Sequence, residues 1–346
     1  RVPDSANLLQ PPVSMSAQLL TRRRFLERAS LFAGTGVLVG SGRATAQSIY
    51  DVTEYGAAGD GSTNDAAAIQ KAIDACAEHG GGRVLVPAGG RFLTGSIELR
   101  SHVDFHLEPG AALLGSAERA DYEAATLIRA NGAENLTISG RGAIDMRGHN
   151  YMARELPYIY RPKDWRPRMM ILEDCRNVRL ENLTLRNSAL WTVHLAGCRD
   201  VAVRDLSILN DRKIPNCDGI AIDSSKNVRI SGCHITAGDD CIVLKTLEQY
   251  AAYGNCENVT VQGCTLESTS AAIKIGTETI NDIRNLTVDG CVIRDSHRGL
   301  GILLRDGGTV ENLLYANCTI ETRFFHDIWW GAAEPISVTA LPREEG

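Results

Sequence analysis

Residues Ile208–Lys245 read I-L-N-D-R-K-I-P-N-C-D-G-I-A-I-D-S-S-K-N-V-R-I-S-G-C-H-I-T-A-G-D-D-C-I-V-L-K. Asp218 stands at the start of one short apolar strand, Gly219–Ile222, and Asp239 and Asp240 stand at the start of the next. The two strands are 22 residues apart, which is the length of one coil of a β-solenoid. Neighbouring coils of such a fold lie about 4.8 Å apart. The three carboxylates are therefore expected to lie together on adjacent coils.

An internal repeat of the form [ND]-[VL]-x-[VIL] extends this pattern along the chain. After a first gap of 42 residues its spacings are 23, 27, 31, 27 and 27, and a period in this range is typical of repeat proteins. Short strands with no helical pattern between them predict an all-β parallel β-helix rather than a leucine-rich horseshoe. We expect the first residue of each repeat to turn a corner, either by adopting left-handed geometry or by bonding its own backbone. These residues are Asn135, Asn177, Asp200, Asn227, Asn258, Asn285 and Asn312.

One helix precedes the strands. Ile69, Ala72, Ile73 and Cys76 recur at helical spacing, and this helix is expected to cap the open N-terminal end of the solenoid. Strands one period apart then align on a single face, where side chains outside the core can do chemistry. The aligned segments are Val193–Leu195, Gly219–Ile222, Cys241–Leu244, Ala272–Ile275 and Gly301–Leu304.

Residues 1–46 are expected to lie outside the fold. The run T-R-R-R-F-L at residues 21–26 has the pattern of a twin-arginine export signal, and A-T-A at 44–46 that of its cleavage site. The apolar stretch between them is too short and Gly-rich to span a membrane comfortably. We therefore expect residues 47–346 to form one β-helix catalytic domain, exported to the periplasm or the outside and free of the membrane. The end at Glu345-Gly346 has no obvious cap, which suggests a truncated C-terminus.

The charge balance bears on the partners. The chain has 36 Lys and Arg against 42 Asp and Glu, a net charge of −6. Without residues 1–46 the numbers are 30 and 40, a net charge of −10. Nucleic acid is therefore not an expected partner, because no basic surplus is present to displace counterions. We expect a monomer that binds a polysaccharide.

The ten cysteines include no C-x-x-C pair. Six of them fall at matching points of the repeat, which favours buried thiols stacked inside the solenoid over zinc ligands. Export leaves a disulfide possible, for instance between Cys217 and Cys241 on adjacent coils. The six are Cys175, Cys198, Cys233, Cys264, Cys291 and Cys318.

Two segments depart from the repeat, Gly148–Met170 and Phe324–Gly331, and both are rich in aromatic residues. Long loops on a rigid scaffold usually form the walls of a binding groove. Their aromatic rings could stack on sugar faces or pack on the side of the solenoid, and the sequence leaves both readings open.

Hydrolysis of a glycosidic bond needs one carboxylic acid to protonate the leaving oxygen and one carboxylate on the other side. Acids on adjacent coils can meet that requirement, and crowding should raise the pKa of one so that it stays protonated. A single Asp at a corner more often bonds turn amides. Asp218-Gly219 followed one coil later by Asp239-Asp240 favours catalysis over that reading.

Four motifs carry a family resemblance: Asn216-Cys217-Asp218-Gly219, Gly238-Asp239-Asp240, N-S-A-L-W-T-V-H at 187–194 and R-G-A-I-D at 141–145. On these the chain resembles glycoside hydrolase family 28, the polygalacturonase family, over roughly residues 50–340. The resemblance implies a right-handed parallel β-helix that cleaves a pectic polysaccharide with inversion and without a cofactor or metal. It also implies that Asp239 is the general acid and that Asp218 and Asp240 position and deprotonate water.

The substrate-binding residues are predicted from the same face. Asn216, Trp191 and His194 come from the matching motifs. The family's Gly-His-Gly and Arg-x-Lys segments are absent from Ser270–Ala272 and Gly301–Arg305, which weakens the case for polygalacturonan itself. Rhamnogalacturonan-type members of the family also lack parts of that set, so the resemblance also allows a branched or mixed pectic substrate. Cations for a uronate carboxylate could instead come from Lys245, Lys274, Arg298 or Arg305, although the two lysines could equally be solvated.

Two alternatives stay open at this point. A calcium-dependent pectate lyase would use the three aspartates as metal ligands and would need a strong base, usually Arg, close to them. A non-catalytic carbohydrate-binding β-helix would explain the missing histidine and Arg-x-Lys pair. Endo or exo attack is not decided by the sequence.

Overall fold

The computed structural model describes residues 48–343. The predicted export signal and cleavage site lie outside these residues, as does the chain end at 344–346. Within the described range, none of the helices combines the length and hydrophobicity that crossing a bilayer requires.

The described chain is built almost entirely of short strands. One α-helix, α1, spans Ala66–Glu78, and 3₁₀ helices span Val52–Tyr55, Arg119–Asp121, Gly148–Tyr151 and Glu248–Tyr253. The strands are β1 Ile49–Asp51, β2 Asp60–Asn64, β3 Gly82–Val86, β4 Arg91–Thr94, β5 Ile97–Glu98, β6 Val103–Leu107, β7 Ala112–Gly115, β8 Thr126–Asn131, β9 Glu134–Gly140, β10 Ala143–Asp145, β11 Met152–Glu155, β12 Tyr160–Pro162, β13 Arg168–Glu173, β14 Arg176–Glu181, β15 Thr184–Arg186, β16 Val193–Ala196, β17 Arg199–Arg204, β18 Ser207–Leu209, β19 Ile220–Asp223, β20 Lys226–Ser231, β21 His234–Ala237, β22 Ile242–Thr246, β23 Cys256–Gln262, β24 Thr265–Ser268, β25 Ala271–Thr279, β26 Ile283–Asp289, β27 Val292–Ser296, β28 Arg298–Leu304, β29 Val310–Ala316, β30 Thr319–Thr322 and β31 Ile336–Ala340.

These strands form three parallel sheets that run the length of a solenoid, which confirms the predicted parallel β-helix. Sheet A has the order β1-β3-β6-β9-β14-β17-β20-β23-β26-β29, and sheet B the order β2-β4-β7-β10-β15-β18-β21-β24-β27-β30. Sheet C has the order β5-β8-β13-β16-β19-β22-β25-β28-β31. Strands β11 and β12 pair separately as an antiparallel hairpin.

Sheet C contains all five segments that the sequence aligned. Ile220 pairs with Ile242, so the offset of 22 residues is the true register between β19 and β22. Val193 pairs with Ile220 on one side, and Ile242 with Ile273 on the other. The alternating inward side chains of the three sheets fill one continuous core.

The corner residues adopt the predicted left-handed conformation, with φ between 51° and 61° at all seven positions. Their side chains also bond one another along the axis. Asn258 Nδ2 donates to Asn227 Oδ1 at 3.1 Å, and Asn285 Nδ2 donates to Asn258 Oδ1 at 2.9 Å. An exposed ladder of amides therefore joins adjacent coils at this corner, a feature that the repeat pattern did not reveal.

The cysteine prediction needs correction. Cys175 and Cys198 lie at the corner before sheet A, where Arg199 N–H donates to the carbonyl of Cys175. The other four, from Cys233 to Cys318, lie at the corner before sheet B, where the carbonyls of Cys233, Cys264 and Cys291 accept from the following coil. Two columns exist instead of one, because the sequence period fixes the length of a coil and not the corner to which a residue belongs. All ten cysteines are free thiols, and Cys217 and Cys241 form no disulfide.

Helix α1 buries the four residues that its periodicity selected. It contacts strands β1, β3, β5 and β6 of the first coils. Its function as an N-terminal cap stays a prediction.

Candidate active site

A cleft of about 370 Å³ opens beside sheet C and contains the three aspartates. Nine of the ten site residues predicted from the sequence line it, since only His194 is missing. The full lining is Trp191, Asn216, Asp218, Asp239, Asp240, Lys245, Leu247, Lys274, Thr277, Glu278, Arg298, Leu303, Arg305 and Trp330.

The backbone brings the acids together. Asp218 precedes β19, and Asp239 and Asp240 precede β22, the neighbouring strand of sheet C. Gly219 N–H donates to the carbonyl of Asp240 at 2.9 Å, so the two acidic segments lie directly side by side. The residues Asp218, Asp239 and Asp240 are 3%, 6% and 1% exposed, which places three carboxyl groups in a poorly hydrated site.

Asp240 is bound as an ion pair. Lys274 Nζ donates to its Oδ2 at 2.8 Å, while Ser270 Oγ and the Ala271 N–H donate to Oδ1 at 2.9 and 3.2 Å. Burial lowers the pKa of Lys274, but the negative charges of Asp240 and Asp239 outweigh it and raise that pKa above its usual value. Lys274 is therefore an ammonium group inside the acidic cluster and not a solvated lysine.

Asp239 has no such counter-ion in direct contact among the described residues. Its Oδ2 accepts a hydrogen bond of 3.3 Å from Asn216 Nδ2. Burial, with the nearby charges of Asp218 and Asp240, raises its pKa well above the usual range. The raised pKa favours the protonated carboxyl group, which is the form that a general acid needs.

Asp218 has an intermediate acidity. Burial raises its pKa to about 6, with Lys245 opposing the shift and the charge of Asp240 adding to it. Its Oδ1 is buried and accepts no hydrogen bond within the described part of the chain. At neutral pH a group with this pKa is mostly ionised.

Arg166 is a residue of the site that the sequence analysis missed. Its Nη1 donates to the carbonyls of Ala189 and Pro215 at 3.0 and 2.6 Å, and its Nη2 donates to Asn216 Oδ1 at 2.9 Å. Because Arg can only donate, this contact fixes the Asn216 amide with its NH₂ group toward Asp239. Five basic residues in the insertion were visible in the sequence, but only the path of the loop shows which of them reaches the acids.

Lys245 and Trp191 form one wall of the cleft. Lys245 Nζ lies 4.4 Å from the centre of the Trp191 ring and 3.5 Å from Glu278 Oε2. Lys245 is 5% exposed, so it too is buried rather than solvated. Glu278 was not predicted, because it follows Gly276 where the pairing of β22 with β25 shifts register and the repeat gives no guide.

His194 does not reach the cleft, which corrects its predicted contact with substrate. The ring is completely buried behind Trp191, with a perpendicular contact of 4.8 Å between ring centres. Arg168 Nη1 donates to His194 Nδ1 at 3.4 Å, so Nε2 carries the proton and donates to Asp223 at 3.3 Å. Burial lowers the pKa of His194 against the opposing effect of Asp223, and a neutral ring therefore supports Trp191 from below.

The opposite wall is basic and aromatic. Arg298 lines the cleft and pairs with Glu334 at 3.1 Å, and Arg305 lies beyond it. Trp330, from the second aromatic segment, also lines the cleft and is half exposed.

The other loop aromatics pack elsewhere. Tyr151 and Trp165 pack on the solenoid side, where their rings meet at 5.7 Å, whereas Tyr158 stacks on His326. Packing on the solenoid is therefore observed for Tyr151 and Trp165, whereas stacking on a sugar stays a prediction for Trp330.

A metal-binding role for the acids does not fit these contacts. Lys274 already supplies the positive charge beside Asp240, where a calcium ion would have to bind. Across residues 48–343 no group of three or more His, Cys, Asp and Glu side chains has the arrangement of a metal site.

Fold and site together define a class of protein: a parallel β-helix with a carboxylate cleft on one sheet. A family model described as "Glycosyl hydrolases family 28" matches residues 76–324, a range that includes all three aspartates. The chain belongs to this family, and its fold is the right-handed parallel β-helix that the resemblance implied.

Individual relatives agree with this assignment. A probable polygalacturonase from Vitis vinifera is 32% identical over 266 residues, which is 67% of this chain and 53% of the relative. The family 28 exopolygalacturonase of Yersinia enterocolitica superposes with a TM-score of 0.75 at 25% identity, covering 87% of this chain and 62% of that one. An exopolygalacturonase from Thermotoga maritima shares the fold, with a TM-score of 0.72 at 23% identity over 86% of this chain and 78% of that one. The chain spans about half the length of the plant relatives that it matches.

Proposed function

We propose that this chain hydrolyses glycosidic bonds in a pectic polysaccharide, of the polygalacturonan or rhamnogalacturonan type, by an inverting acid–base mechanism. The observation that carries the proposal is that three buried, adjacent acids differ in their charged neighbours and so in their tendency to hold a proton. Asp239 has a raised pKa that favours its protonated form, whereas Asp240 is paired with an ammonium group. Family membership and the polygalacturonases among its relatives support the same reaction.

Each acid then has one task. Asp239 transfers its proton to the oxygen of the leaving sugar. Asp240 and Asp218 orient a water molecule on the other side of the anomeric carbon and accept its proton as the new C–O bond forms. Asn216, fixed by Arg166, orients the Asp239 carboxyl group, and the ammonium of Lys274 holds Asp240 in place by a hydrogen bond.

The cleft walls support an acidic substrate. Four basic side chains, Lys245, Lys274, Arg298 and Arg305, line a cleft in a protein whose net charge is −6. Three of these cations already pair with an acid: Lys274 with Asp240, Lys245 with Glu278 and Arg298 with Glu334. Arg305 forms no ion pair within residues 48–343, so it is the cation that we expect to face a uronate carboxylate. Trp191 and Trp330 offer apolar ring surface for the sugar faces.

The mature protein is proposed to be exported by the twin-arginine route and to act as a monomer. The signal pattern at residues 21–26 supports the first statement. Replacing Arg22 and Arg23 by Lys should leave uncleaved protein in the cytoplasm, and light scattering should give the mass of one chain. Export and cleavage of this variant would contradict the first statement. A stable dimer would contradict the second.

The reaction is tested by incubating the protein with homogalacturonan, rhamnogalacturonan and unsaturated uronate oligomers. Release of reducing ends, with the inverted anomer seen first by NMR, is the expected result for at least one polymer. Products that absorb as unsaturated uronides, or activity that a chelator removes, would assign a lyase instead.

A further inference from the structure

Sheet A has a basic outer face on three adjacent coils. Strands β14, β17 and β20 carry six basic and two acidic residues, a net charge of +4 in a chain of net charge −6. The neighbouring strands β9, β23 and β29 each have a net charge of −1, and β26 is neutral. The basic patch consists of Arg176, Arg179, Arg199, Arg204, Lys226 and Arg229.

Most of these cations have no partner. Arg204 pairs with Glu181, and Lys226 pairs with Glu257 at 2.9 Å. Arg176, Arg179, Arg199 and Arg229 are exposed and make no ion pair and no side-chain hydrogen bond within residues 48–343. Like charges about 4.8 Å apart on adjacent coils repel each other, so their placement opposes stability rather than adding to it.

The patch also has a defined shape. Arg179, Ala202 and Arg229 are consecutive partners along one row of the sheet. The small side chain of Ala202 leaves a groove of about 300 Å³ between the two guanidinium groups, with Arg204 at its rim. Asp200 also lines the groove, and Arg204 is already paired with Glu181. Guanidinium groups bind carboxylates in a bidentate manner, so the two unpaired groups of Arg179 and Arg229 suit carboxylates spaced along one chain.

We propose that this basic patch is a second, non-catalytic binding site for an anionic polysaccharide, specifically a polyuronate chain. The commitment to polyuronate rests on the proposed function, whereas the presence of an anion site rests on the groove and its unpaired arginines. The patch lies on the same coils as Asp218, because β20 directly follows β19, but on a different sheet from the cleft. A long polymer bound there stays near the enzyme, which raises its effective concentration at the cleft.

The test measures binding without turnover. Binding of polygalacturonate and of trigalacturonate is compared in an Asp239→Asn background, at about 50 and 200 mM salt. The patch variant adds Arg179→Gln and Arg229→Gln. The control variant adds Lys71→Gln and Arg91→Gln, which remove two exposed positive charges outside the patch.

The patch variant should bind the polymer roughly tenfold more weakly at low salt, with a shallower salt dependence. Trigalacturonate binding should be unchanged in both variants, and the control variant should bind the polymer as its parent does. Neither variant should unfold at a lower midpoint than the parent, because the patch arginines repel one another. In the active enzyme, the two patch substitutions should raise KM for the polymer and leave kcat on short oligomers unaltered.

Equal polymer affinity in the patch and control variants would overturn the inference, as would no polymer binding at all by the Asp239→Asn protein. Binding of duplex DNA as tight as that of polygalacturonate would also overturn it, because the patch would then be a general polyanion site. If the wild type hydrolyses no polymer while the patch variant still loses binding, the proposed function fails and the second site stands.

Discussion

A single lysine influences two of the three aspartates of this site. Lys274 donates to Asp240 and also lowers the pKa of its neighbour Asp218. The family pattern predicted a histidine in this region, and the chain has Ser270–Ala272 there instead. Lys274 lies a few residues further on, so the cation of this site comes from a residue that the motif does not contain.

We therefore expect Lys274→Met to move the acidic limb of the pH profile of kcat/KM to higher pH. Without the ammonium the acids are harder to ionise, and activity at neutral pH should fall at least about tenfold. Lys274→Arg, which keeps the charge, should shift the limb less. An unchanged profile in Lys274→Met would show that the ion pair is only structural.

The wild-type profile should itself be bell-shaped. Activity should decline by about tenfold per pH unit below pH 6, where Asp218 becomes protonated, given its pKa of about 6. It should also decline at alkaline pH as Asp239 loses its proton above its raised pKa. Initial rates across the pH range measure both limbs, and a profile flat from about pH 4 to pH 8 would be incompatible with these assignments.

Single residues were predictable where a motif included them. Asp218, Asp239, Asp240 and Asn216 lie together as expected, because adjacent coils fix their spacing. Arg166 was missed, since its place in the site depends on the path of a long insertion.

At the scale of single elements, the amide ladder at the corners before sheet A should contribute to the stability of the folded protein. Asn258 combines a φ of 61° with two hydrogen bonds to the coils on either side. Replacement by Ala should destabilise the protein by about 1–3 kcal/mol, because it adds backbone strain and removes both bonds. Asn258→Gly also removes both hydrogen bonds but adds no backbone strain, so it should lower the free energy of unfolding by less than Asn258→Ala does. Urea unfolding gives both values, and an equal loss in the two variants would contradict a contribution from the left-handed backbone.

The strands were predictable because the repeat pattern and the period of a coil constrain each other. One register, 22 residues between β19 and β22, followed from the sequence alone. The cysteine columns did not, because a coil has several corners and the period alone does not distinguish them. The register shift after Leu244, which brings Glu278 to the cleft, also interrupts the repeat.

For the whole molecule, the buried acids make stability depend on pH. The folded-state pKa of Asp218 lies above its unfolded value, so its contribution is fully present at low pH and is lost as pH rises through about 6. The shift from 3.8 to about 6 corresponds to about 3 kcal/mol.

Asp218→Asn should therefore stabilise the protein at about pH 8 by up to about 3 kcal/mol, with the gain shrinking toward about pH 4. The exposed Asp164→Asn is the control and should change little at either pH. Urea midpoints at the two pH values measure the difference. A destabilised Asp218→Asn protein at about pH 8 would mean that this aspartate contributes to folding in its ionised form.

The whole solenoid thus presents two separate charged surfaces. One is the acidic cluster with its basic walls beside sheet C, and the other is the basic patch on sheet A. The fold could be predicted from the sequence because the same sequence pattern recurs in successive coils. The patch could not, because it depends on which of many arginines share a face and lack partners.

The proposed mechanism depends on Asp239 donating its proton to the leaving sugar oxygen in the cleft. It is tested most directly by measuring turnover and polymer binding of Asp239→Asn beside the wild type, with reducing ends as the readout. We expect a loss of about 10²–10⁴-fold in kcat with binding of the polymer retained. Turnover within a few-fold of the wild type would contradict it.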